Sequence, residues 1–127
     1  RVLFRSVVKT DWELPMKMHV RAMVLAGETL WVSGPPLMIS PGKLKKKKLL
    51  PEMQRELERE SESFAGRHGG LLQSVSVKGG TPGKEYKLDM PPVWDGMAAA
   101  RRRLYIATMD GKMVCMGREE DKKTSEE

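Results

Sequence analysis

The side chains that could do chemistry are few and far apart. His19 and His68 stand 49 residues from each other with no Cys, Asp or Glu at ligand spacing. A zinc site needs three or four nitrogen, sulfur or carboxylate donors drawn together, so both histidines are expected to be exposed or hydrogen-bonded loop residues. The one cysteine, Cys115, excludes an internal disulfide. It alternates with Val114 and Met116 in an expected strand. It therefore reads as a small buried hydrophobe and not as a thiolate nucleophile, which requires an accessible electropositive pocket. No Gly-x-Ser-x-Gly or His-Glu-x-x-His occurs, and the Gly and Lys of VKGGTPGK have the wrong spacing for a phosphate loop. No catalytic constellation is visible, and the sequence points away from an enzyme without deciding the matter.

Binding chemistry has more candidates. Lys43 to Lys48 holds five lysines in six residues, and Lys45, Lys46, Lys47 and Lys48 could contact phosphates or anionic lipid. The glutamates at 52, 56, 58, 60 and 62 follow at once and can neutralise them, which favours a solvated charge run over a polyanion site. Arg101 and Arg102 sit at an expected turn tip, where binding residues concentrate. No aromatic interleaving suggests base stacking there. Trp94 and Asp95 follow Pro91-Pro92 at a strand entrance, which makes Trp94 the aromatic best placed to meet a ligand, with core packing as the plainer alternative. The net charge of +6 is spread evenly, with +2 in each of residues 1–42, 43–62 and 63–127. A nucleic-acid module gathers its excess on one face, so the even spread argues against nucleic acid as a partner. No apolar run approaches the about 18 residues of a membrane span.

The elements that carry these residues form a repeat. Sliding the chain by 74 positions lays Met23 on Met97, Leu30 on Leu104, Trp31 on Tyr105 and Val32 on Ile106. Each copy has an apolar strand, a two-residue turn (Gly27-Glu28; Arg101-Arg102) and a second strand with an aromatic beside a β-branched residue, which is hairpin grammar. Asp110-Gly111 is a strong hairpin signal for a type I′ turn and should pair Leu104–Met109 with Lys112–Met116. In the first copy that turn is replaced by about 35 residues, Gly34 to Gly70, an insertion of low closure cost. GGLLQSVSV then resumes with Gly70 on Gly111. The expected strands are 20–26, 29–33, 71–77 and 85–89, then 97–100, 104–109 and 112–116, with an earlier strand at 2–8. Within the insertion, Leu50, Met53, Leu57 and Phe64 share one stripe, Pro51 fits the first turn and Gly66 can stop a helix. One lightly docked surface helix is expected around residues 50–65.

VRAMVLAGETLWVSGPP, GGLLQSVSVKGG, EYKLDMPPVWDGMAAA and RLYIATMDGKMVCMG resemble, in order, the carboxyl-terminal part of PQQ-like β-propeller repeat proteins. These belong to the quinoprotein alcohol dehydrogenase-like superfamily, which shares its architecture with WD40-like propellers, and the nearest forms are bacterial, of planctomycete type. The resemblance implies an all-β fold, a partial β-propeller of about two four-stranded antiparallel blades with the inserted helix. Residues 1–19 would come from a preceding blade, 20–90 would form one blade with its insertion at 35–68, 91–117 a final three-stranded blade, and 118–127 a charged tail. Gln73 stands where the family usually has an aromatic, Arg101-Arg102 where it has Asn-Gly, and Leu37 where an acidic residue often follows Gly-Pro-Pro. A left-handed turn without Gly is costly.

True quinoprotein dehydrogenases in the family hold PQQ over calcium and stack it against a vicinal Cys-Cys. This chain has one Cys and no Asn, so the resemblance implies a non-catalytic repeat segment with no cofactor of its own, acting as a scaffold or interaction module. Two other readings stay open: the terminal part of a PQQ-dependent dehydrogenase using calcium, and polyanion binding through Lys43–Lys48. The implied partners are the remaining blades of the same protein and a protein or small ligand at a propeller face. The implied location is extracytoplasmic, the amino end at Arg1 being expected to be a cut.

Overall fold

The computed structural model describes residues 9–38 and 50–117. The expected strand at 2–8, the lysines Lys45, Lys46, Lys47 and Lys48, and the tail from residue 118 lie outside the described residues. The described residues form seven strands and one helix, in order β1 (Ala22–Ala26), β2 (Thr29–Gly34), α1 (Leu50–Phe64), β3 (Gly70–Ser76), β4 (Thr81–Leu88), β5 (Pro92–Ala100), β6 (Arg103–Thr108) and β7 (Met113–Met116). They make a four-stranded antiparallel sheet, β1-β2-β3-β4, and a three-stranded one, β5-β6-β7.

The duplication seen in the sequence reappears as pairing register. Met23 pairs with Val32 and Ala26 with Thr29. Their counterparts 74 positions on, Met97 with Ile106 and Ala100 with Arg103, pair in the same way. The third strands agree as well: Val32 opposite Gln73 corresponds to Ile106 opposite Val114, the shift of Gly70 onto Gly111. The insertion between β2 and β3 therefore leaves the ladder in register on both sides of it.

Turn chemistry explains where each hairpin reverses. Gly27 alone is left-handed in the β1–β2 turn, with φ 63°, as a type II′ turn demands. At the β5–β6 turn both Arg101 and Arg102 are left-handed, with φ 50° and 64°. That is type I′ geometry held without glycine. The β6–β7 turn departs from expectation. Thr108 N–H donates to Lys112 O and Gly111 N–H to Thr108 O, so Met109-Asp110-Gly111 is a three-residue loop closed by a left-handed Gly111 (φ 80°) and not a two-residue Asp-Gly turn. Two strands are longer than their patterns suggest: β4 begins at Thr81 and β5 at Pro92. At the β3–β4 register shift between Gln73 and Val75, the Gln73 amide donates to the carbonyls of Ser74, Gly83 and Lys84. A polar side chain thus serves the irregular backbone where an aromatic could not.

The two sheets pack face to face. Val24, Trp31, Leu72 and Leu88 of the first sheet meet Met97, Ala99, Leu104, Ile106, Val114 and Met116 of the second. Leu72 and Ile106 are fully buried, each contributing roughly 1.5–3 kcal/mol of burial. The opposite face of the first sheet packs Leu30, Val32, Leu71 and Val75 against Leu14, Met16 and Met18 of an extended amino-terminal arm. Two sequence expectations are corrected here. Cys115 is exposed, because strand alternation places it on the uncovered side of β5-β6-β7. Trp94 is 68% exposed, which removes it from the core.

Helix α1 is where the sequence placed it and ends as expected. Gly66, with φ 90°, donates to Ser63 O while Arg67 donates to Glu62 O, the pair of bonds of a Schellman cap. Its docking face was not foreseen. Met53, Leu57 and Phe64 remain exposed, and the helix is held through Glu60 and Ser63. The Ser63 hydroxyl donates to Pro36 O, and the Glu60 carboxylate takes the Met38 amide and contacts the His19 ring nitrogen. No described helix is long and apolar enough to cross a membrane.

Candidate functional site

The described residues that gather polar and aromatic groups at one place centre on Arg21. The segment before β1 runs beside the end of β2: His19 N–H donates to Pro35 O and Arg21 N–H to Ser33 O. Gly34 permits that approach, since a Cβ there would stand 1.8 Å from His19 O. Arg21 is thereby fixed at the corner where α1, β1 and β5 meet. Its carbonyl accepts the Asp95 amide, a backbone hydrogen bond that ties the two sheets together.

Asp95 can donate there because β5 bulges. Between Pro92 and Met97 the register with β6 shifts, and Asp95 is left-handed with φ 55°. Gly96 is needed beside it, because a Cβ would stand 2.7 Å from Val93 Cγ2 and 2.9 Å from Ala107 O. A bulge re-aims the side chains around it, and here it sets the Trp94 indole over Arg21 with the guanidinium carbon 5.7 Å from the ring centroid. Phe64 lies 5.4 Å from the same carbon, so one cation faces two aromatic rings.

Arg21 is buried, with 8% of its surface exposed. Nη2 donates to Phe64 O at 2.7 Å and Nη1 to the Met109 thioether, while Nε has no partner among the described residues. Burial lowers its pKa from the ordinary arginine value, yet a guanidinium keeps its charge in a protein. No described carboxylate forms an ion pair with it. Its counter-charge is the carbonyl end of α1, whose last turn has no basic residue of its own. A cation placed there complements the helix dipole. His19 completes the corner, its ring 4.4 Å from that of Phe64.

Of the sequence candidates, Trp94 and Asp95 are brought to this corner. Arg101 and Arg102 stand apart from it at the exposed β5–β6 turn. His68 pairs with Glu62 at 3.2 Å, an exposed contact. Arg21, His19 and Phe64 were missed as a group, since they are separated by up to 45 residues and only packing unites them. Among the described residues no three His, Cys, Asp or Glu come together as a metal site. The corner holds one buried cation between two aromatic rings, with the exposed Trp94 indole beside it and the His19–Glu60 pair against Phe64. Comparison with protein-family models, with curated proteins and with solved structures finds no match.

Proposed function

We propose that this chain is a PQQ-like β-propeller repeat segment serving as a non-catalytic scaffold, whose stacked sheets display an interaction corner at Trp94. The observation that carries the reading is the repetition of register. Two hairpins 74 positions apart share the same four pairs next to their turns, Met23–Ala26 with Thr29–Val32 and Met97–Ala100 with Arg103–Ile106, and their sheets stack with corresponding strands, β1 and β5, as neighbours tied by the Asp95–Arg21 hydrogen bond. Meander sheets arrayed in that order suit the blades of a propeller, which carries four to eight of them. In this reading the remaining blades belong to the same protein, and a protein or small ligand is met at the face bearing Trp94. The extracytoplasmic location goes with the family reading and rests on it alone.

The full-length protein tests both halves. Its structure should show further sheets of this kind arranged about an axis lined by β1 and β5. A two-layer sandwich with no additional sheets would refute the propeller. Incubation of the full-length protein with PQQ and calcium, assayed with alcohols and an artificial electron acceptor, should give no dye reduction. Turnover would overturn the non-catalytic assignment.

A further inference from the structure

We propose that the face of the four-stranded sheet bearing Leu30 and Val32 is the seat of a third sheet, with the amino-terminal arm at 12–18 as its outermost strand and residues 2–8 of this chain as the next. The inference rests on the repeat reading above and names what lies on that face.

The arm repeats the end of β4. Under the 74-position shift Trp12 falls on Tyr86, Leu14 on Leu88 and Met16 on Met90. Leu14 packs in the cluster of Leu30, Val32 and Val75, and Leu88 packs in the cluster of Leu104, Ile106 and Met116, which are the corresponding positions of the next sheet. The hollows beside these contacts correspond as well. One of about 280 Å³ is lined by Leu14, Pro15, Met16 and Gln73 among others, and one of about 260 Å³ by their counterparts Leu88, Asp89, Met90 and Val114. The chain also enters the two sheets alike: Lys17 O accepts the Leu37 amide, and its counterpart Pro91 O accepts the Met109 amide. The arm therefore stands to the first sheet as β4 stands to the second.

β4 does not stand there alone. It is paired along its length by β3, with Leu72 opposite Tyr86 and Gly70 opposite Leu88, and Leu72 is fully buried in the cluster with Leu104 and Ile106. The arm at 12–14 is paired by no described strand. Leu30 is half-buried, whereas its counterpart Leu104 is 7% exposed. The comparison calls for a β3-type strand beside the arm that lays an apolar side chain on Leu30. Residues 2–8, VLFRSVV, hold Val2, Leu3, Phe4, Val7 and Val8, and reach the arm through the exposed polar residues Lys9, Thr10 and Asp11, a connection of hairpin length. Extended, these residues span about 23 Å, which matches the seven-residue β3.

Nuclear Overhauser spectroscopy on the intact chain tests the pairing without any variant. The Leu30 methyls should show contacts to side chains of residues 2–8, and the Trp12 and Leu14 amides should show contacts to the backbone of that segment. Absence of both sets would overturn the proposal. Amide hydrogen exchange reads it a second way. Trp12 and Leu14 should exchange about tenfold or more faster in a chain beginning at Lys9, while β2 and β3 stay protected. Because successive residues of a strand point to opposite faces, Leu3→Asp with Phe4→Asp puts one carboxylate against the sheet in either register and should reproduce the truncation. Equal exchange at Trp12 and Leu14 in all three chains contradicts the strand. Coupling between Leu72 and Ile106 measures the repeat reading separately and persists if residues 2–8 lie elsewhere, so the two failures are distinguishable.

Discussion

Arg21 shows how a single residue joins three elements. Its removal takes away a charge-assisted hydrogen bond to the end of α1 and contacts with two rings, so Arg21→Ala should cost about 2 kcal/mol in urea unfolding. Arg21→Met keeps the volume and strands no buried partner charge, and should cost less than about 1 kcal/mol. Equal losses for the two would deny the packing role of the side chain. The Arg101-Arg102 turn offers the opposite sign. Replacement by Asn-Gly relieves two left-handed non-Gly residues and should raise stability by about 1 kcal/mol, read by the same denaturant titration. Asp110 gives the pH dependence. Its pKa lies below the ordinary 3.8, chiefly because the Thr108 hydroxyl donates to it, with Lys112 adding to the effect. A depressed folded-state pKa stabilises above the unfolded value near 3.8, and that contribution is lost as pH falls through the folded value. Thr108→Val should move the Asp110 carboxyl titration upward by NMR, and an unmoved titration would contradict the assignment.

At the level of elements, strands and turns were legible because period-two alternation and turn residues act locally. The β1–β2 and β5–β6 hairpins follow from Met23 to Val32 and Met97 to Ile106 alone, and Gly66 ends α1 where a left-handed residue is needed. What stayed hidden depends on neighbours. Cys115 sits in an alternating strand, but alternation does not say which side is covered. Trp94 is turned outward by a bulge that Asp95 and Gly96 support, a feature with no periodic signature. The docking of α1 through Glu60 and Ser63 was masked by its apolar stripe, which was the more obvious candidate. Because α1 hangs from a turn, replacing residues 35–69 with a short Asp-Gly turn should preserve the β-sheet circular dichroism and cooperative unfolding. Loss of sheet signal would show that the insertion holds the ladder together.

For the whole molecule, the direction in which the two sheets stack decides the architecture. Two sheets with one register could meet back to back, front to front or front to back, and only the last makes them successive members of an array. The described core places Leu72 of the first sheet with Ile106 of the second, and Val32 on the opposite face against the arm. Double-mutant cycles on the folded chain measure that direction. Leu72→Ala and Ile106→Ala should couple by about 1 kcal/mol or more, while Val32→Ala and Ile106→Ala should add independently. Additive behaviour of the first pair with coupling of the second would contradict the front-to-back stack.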